Sequence, residues 1–103
     1  MNKPVIIIND QKIEVPELKA RVWREIIKFD STRKDIPTEN FCEEHAKIIA
    51  MVFGLTVDEV LDKLNIEDIL PAYSASLLYV VQLLSSKLGG DDTKKNVDVD
   101  AQT

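Results

Sequence analysis

The sequence predicts a mainly α-helical fold with a small N-terminal β-hairpin, about four helices and a disordered C-terminal tail. Three observations lead there. Two short β-branched runs, Val5-Ile6-Ile7-Ile8 and Lys12-Ile13-Glu14-Val15, flank the polar turn Asn9-Asp10-Gln11. From Leu18 onward, apolar residues recur every three or four positions, the spacing of amphipathic helices. After Gly89-Gly90 the chain turns polar: residues 91–103 hold four Asp, two Lys and only Val97, Val99 and Ala101 as apolar residues. Residues 1–88 therefore read as one helical domain carrying the hairpin, and residues 89–103 as an acidic tail.

Each element has its own signal. The β-branched residues Val5 to Ile8 suit a pleated strand, and Asn9 and Asp10 suit a turn. An isolated hairpin is marginal in water, so it must pack on the helices that follow. Pro16 reads as the opening of the first helix, where its missing N–H costs nothing. Leu18, Val22, Ile26 and Phe29 form the apolar face of that helix, with Trp23 and Ile27 alongside. Ser31 to Pro37 read as a loop, and Thr38 as the N-cap of a second helix. Phe41, Ile48, Ile49, Val52 and Phe53 make its stripe, and Gly54 reads as a left-handed C-cap. Thr56-Val57-Asp58-Glu59 is a capping-box pattern opening a short third helix that stops near Asn65.

The fourth helix is the longest, about residues 66–88, and has two apolar stripes. One is Leu70, Tyr73, Leu77, Val81, Leu84 and Leu88; the other is Ile69, Ala72, Tyr79 and Leu83. Together they cover more surface than one core contact requires. A contiguous apolar face beyond that need marks a partner site, for which Ile69, Tyr79 and Leu83 are the candidates. Trp23 is a fourth candidate, because Trp and Arg dominate binding hot spots and Arg21 and Arg24 stand beside it. A core tryptophan packed under the hairpin is the competing reading of the same residue.

Composition bounds the function. The 103 residues are 45% apolar, enough for one modest core. The net charge of −5 and the scattering of Lys and Arg among acidic residues argue against nucleic acid and against an anionic membrane surface. No segment reads as a secretory leader, nor as the roughly 18 consecutive apolar residues of a membrane span. One cysteine, Cys42, permits no intrachain disulfide, which fits a reducing cytoplasm. The three glycines form no phosphate-binding loop. The carboxylates Glu43-Glu44, Asp58-Glu59-Asp62 and Glu67-Asp68 read as helix-dipole partners, with no metal or calcium spacing. Cys42 and His45 are three apart on one helix, a thiol–imidazole arrangement on paper. His45 also falls at the edge of the apolar stripe, where a structural histidine belongs. The chain reads as a binding protein without catalytic residues, cofactor or metal.

One run is distinctive: Val15-Pro16-Glu17-Leu18-Lys19-Ala20-Arg21-Val22-Trp23-Arg24-Glu25, directly after the hairpin. Val52-Phe53-Gly54, then Thr56-Val57-Asp58-Glu59-Val60-Leu61, then a Leu70-Pro71 step before the long last helix complete the order. That order, over most of residues 4–88, resembles the tail assembly chaperones of long-tailed (siphovirus-type) bacteriophages and prophages of Gram-positive bacteria. The resemblance implies a protein of the bacterial host cytoplasm that binds the tape measure protein and shields its apolar surface. It implies assistance in recruiting tail tube protein, and absence from the finished virion. Members of that family often come in two forms, the short one ending in a tail like residues 91–103 and the longer one made by frameshifting, and the sequence leaves open which applies here. Self-association through the same apolar stripes is compatible with it. The composition is similar to that of acyl carrier proteins too, but the only Asp-Ser pair, Asp30-Ser31, is followed by Thr32 where that family has leucine. A small regulatory protein, with the second and third helices around Gly54 as a helix-turn-helix, is the remaining alternative. Its second helix carries three acidic residues and one lysine, the wrong charge for a DNA groove.

Overall fold

A computed structural model of the chain describes residues 3–88. The expected disordered tail at 89–103 lies outside the described residues. The described chain is mainly helical with a two-stranded antiparallel hairpin, in the order β1 (Val5–Ile8), β2 (Gln11–Glu14), α1 (Ala20–Thr32), α2 (Phe41–Phe53), α3 (Val57–Lys63) and α4 (Ile69–Leu88). Short 3₁₀ turns occupy Arg33–Asp35, Thr38–Asn40 and Ile66–Asp68.

The hairpin turn is tighter than the sequence predicts. Ile8 pairs with Gln11 and Ile6 with Ile13, so only Asn9 and Asp10 lie between the strands. Both are left-handed, with φ of 53° and 63°. That is the two-residue turn whose twist matches a hairpin, and Asn and Asp are the non-glycine residues that enter this region most readily. Alternation along β1 then buries Ile6 and Ile8 against the helices and turns Val5 and Ile7 outward.

The first helix begins at Ala20 and not at Pro16. Val15 is buried, and the Pro16 ring lies over Gly54, where an added Cβ would stand 3.4 Å from Pro16 Cγ. With these two residues anchored, the chain reaches Lys19 extended, and the first turn closes only there, Val22 N–H donating to the Lys19 carbonyl at 3.0 Å. Thr38 also differs from expectation. Pro37 is extended, Thr38–Asn40 make a 3₁₀ turn, and Asn40 is the N-cap of α2 with no side-chain cap bond. α4 likewise starts at Ile69, after the 3₁₀ turn at Ile66–Asp68. Pro71 is then its third residue, where a missing donor is tolerated.

Two local signals are realised as read. Thr56 accepts a bond from the Glu59 N–H at 3.1 Å, and Glu59 accepts one from the Thr56 N–H at 2.9 Å. Gly54 caps α2 at φ 71°. α2 is the central post: His45, Ala46, Ile48, Ile49, Ala50, Val52 and Phe53 are all buried, with α1, α3 and α4 packed around it. Ile26 of α1, Val60 of α3, Tyr73 of α4 and Ile6 and Ile8 of β1 close the core.

Gly54 is under two demands, a left-handed backbone and contact with Pro16. Gly54→Ala is expected to destabilise the fold by about 1–2 kcal/mol. Urea unfolding checks this: an unchanged midpoint would show that the cap carries no strain.

Candidate functional site

The buried face of α4 takes residues from both apolar stripes. Ile69, Ala72, Tyr73, Ser76, Tyr79 and Val80 point into the core. Ile69 and Tyr79 are therefore buried packing residues within this fold. The reason lies at Ser76, buried with its hydroxyl donating to the Ala72 carbonyl at 2.7 Å. This local bond satisfies the hydroxyl and lets a nominally polar position face α2. On the same helix Leu70, Leu78 and Leu84 stay 43%, 59% and 38% exposed.

Trp23 is 37% exposed and is not packed beneath the hairpin. It stands at a groove of about 180 Å³ between the start of α1 and the C-terminal half of α4. Leu18, Val22, Val80, Leu83 and Leu84 line that groove with it. Of the four sequence candidates, Trp23 and Leu83 thus come together on one surface. Among the described residues, Lys19 is the only charged side chain in the lining. Leu18 and Val80 complete the groove; Leu18 belongs to the first-helix stripe, but nothing in the sequence links it to α4.

His45 occupies a different place, a buried knot joining α1, α2 and α4. Its Nε2 accepts a bond from Arg33 Nε–H at 3.1 Å, and its Nδ1–H donates to the Phe41 carbonyl at 2.8 Å. Phe29, Phe41 and Tyr73 surround the ring, with centroids 5.0, 4.2 and 5.1 Å away. The Arg33 guanidinium lies over the Tyr73 ring at 4.6 Å, and Tyr73 donates to Asp30 Oδ1 at 2.9 Å. Both imidazole nitrogens are engaged, so neither is left to take a proton from Cys42. The histidine is structural here, accepting a guanidinium bond that would otherwise go unmet in a half-buried site. Burial holds His45 below its ordinary value; the bond to Phe41 opposes this, Arg33 reinforces it and Glu44 opposes it. Burial raises the Tyr73 hydroxyl, and the bond to Asp30 raises it further.

Among the described residues, no group of three His, Cys, Asp or Glu side chains is placed to hold a metal ion. Residues Ile66–Ser86 are long and apolar enough to cross a membrane by length and composition, contrary to the expectation from sequence. In this fold one face of that helix, from Ile69 to Val80, is core.

No family model matches the chain, and neither the curated proteins nor the solved structures contain a match to it.

The His45 knot has a pH signature. The unfolded imidazole titrates near its ordinary value of 6.5, and the folded one below it. As pH falls, the unfolded chain binds the proton first. The stability from neutral His45 is present above the unfolded value and is lost as pH drops through the lower folded value. The melting temperature is expected to fall as pH drops below the ordinary imidazole value of 6.5. His45→Gln should lower the plateau and flatten that segment. An equal slope in the variant would assign the transition to other groups.

Proposed function

We propose that this chain is a tail assembly chaperone of a long-tailed bacteriophage or prophage, acting in the host cytoplasm. Its partner in this reading is the tape measure protein, with tail tube protein recruited afterward. The order of motifs from the hairpin through Val15–Glu25 to the Leu70-Pro71 step supports the family. The groove at Trp23 and Leu83 is the observation that carries the mode of binding. An apolar floor between two helices, with an indole at its edge, has the form of a helix-in-groove site. A tape measure protein offers long helices whose apolar stripes need cover before the tube closes around them. Repeated copies of one module along such a helix gain from avidity, so each contact can be modest.

The groove also fits a holding role better than tight capture. Its floor is aliphatic and adaptable, and among the described residues Lys19 is its one charged group. Affinity then depends on burying Trp23 and the leucines, and salt affects it little.

Co-expression with the tape measure protein of the source phage, followed by pull-down at several salt concentrations, tests this. A soluble complex is expected that survives high salt. Trp23→Ala with Leu83→Ser should weaken it about ten-fold or more while the helical spectrum is retained. A tape measure protein that is soluble without the chain, and that never co-purifies with it, would sink the reading.

A further inference from the structure

The Trp23 groove differs in charge from the other hollows of the described residues. The hollow between β1 and the start of α4 is lined by Asp68, the one between α1 and α2 by Glu25 and Glu44, and the one at the end of α1 by Asp30. Among the described residues the Trp23 groove has no carboxylate in its lining and carries Lys19. It opens at the start of α1, whose first turn holds no acidic residue and whose N-cap makes no side-chain bond. A helix start left in this way favours a negative charge beside it. Lys19 meets Glu17 at 3.5 Å, but both side chains are exposed and such a contact holds them weakly. At about 180 Å³ the groove is smaller than the roughly 300–1,000 Å³ of ligand pockets, and it suits short apolar side chains.

A segment that is apolar and acidic at once exists in the chain itself, Val97-Asp98-Val99-Asp100. We propose that residues 97–100 fold back onto their own chain and seat Val97 and Val99 in the Trp23 groove, with Asp98 and Asp100 at its rim toward Lys19 and the start of α1. In an extended run alternate side chains point to opposite sides, so the two valines share one side and the two aspartates the other. The reach is sufficient. Leu88, the last residue of α4, lies about 6 Å along the helix from Leu84 and about 12 Å from Val80, both of which line the groove. Residues 89–96 lie between Leu88 and Val97, and fully extended they span up to about 26 Å. Gly89-Gly90 at their head admit a reversal of direction. Covalent linkage gives the segment an effective concentration in the millimolar range, so a contact of two valines and two carboxylates is enough to hold it. The groove is then covered by its own chain until an amphipathic partner displaces the strap. That displacement rests on the reading of the groove as a partner site; the docking itself does not.

Nuclear magnetic resonance of the full chain in the absence of any partner tests the docking. Contacts are expected between the methyl groups of Val97 and Val99 and the Trp23 indole, unchanged on dilution. Val97→Asp with Val99→Asp, two changes outside residues 3–88, should abolish those contacts and shift the resonances of Trp23, Leu83 and Leu84, while those of His45 and Phe41 stay in place and show the fold intact. Asp98→Lys with Asp100→Lys should weaken the docking about three-fold. Absence of any contact between the valines and the indole overturns the proposal. Contacts that vanish on dilution also overturn it, because the occupant would then be the same segment of a second copy. Contacts indifferent to the two lysine substitutions overturn the role of charge in selecting the segment. In the pull-down, the double valine variant should bind the tape measure protein about three-fold more tightly than the unaltered chain, and equal binding overturns the displacement. Because the docking is read on the chain alone, its failure leaves the chaperone reading standing, and a pull-down without a complex leaves the docking standing.

Discussion

Seven of the thirteen residues of α2 are buried, and they are spread around most of its circumference. A helix of that kind cannot be satisfied by one neighbour. It needs α1, α3, α4 and the hairpin at once, and the rest of the fold follows from covering it. The short α3 closes one side with Val60, the hairpin contributes Ile6 and Ile8, and α4 gives Ile69, Tyr73, Ser76 and Val80. The edge at Glu43, Lys47 and Met51 keeps α2 in touch with water, with Lys47 paired to Glu44 at 2.8 Å. Meeting the demand of α2 leaves Leu70, Leu78 and Leu84 of α4 exposed among the described residues.

The buried polar groups obey the same logic. His45 sits at zero exposure because both its nitrogens are met within the fold. Arg33 is held by three partners of different kinds, an imidazole nitrogen, the Tyr73 ring and, at 3.7 Å, Asp30. The knot fixes where α1 ends relative to α2. That in turn sets the angle at which α1 leaves Trp23 standing against the far end of α4.

Local signals are legible in the sequence and tertiary ones are not. The capping box at Thr56 and Glu59, the left-handed Gly54 and the hairpin depend on a few adjacent residues, and all are readable there. The start of α1 is not, because Pro16 is a good first-turn residue in isolation, while its position here is decided by Gly54, far along the chain. Thr38 misleads for a similar reason, since Pro37 leads it into a 3₁₀ turn. The two faces of α4 are indistinguishable by hydropathy, because Ile69 to Ser86 contains no charge to mark the wet side. The choice is made by a serine, Ser76, which hydropathy would place outside. Trp23 and Leu83 each stand out in the sequence, but their meeting depends on the crossing of α1 over α4, which no local pattern encodes.

The position of Trp23 has a consequence for observing the molecule. It is the chain's only indole, and it stands partly in solvent at the groove, remote from the His45 knot. The two tyrosines, Tyr73 and Tyr79, are both buried on α4. Ultraviolet emission excited at the indole edge therefore reports on the groove's contents, while tyrosine absorbance reports on the interior. One unlabelled sample carries separate optical channels for its surface and its core.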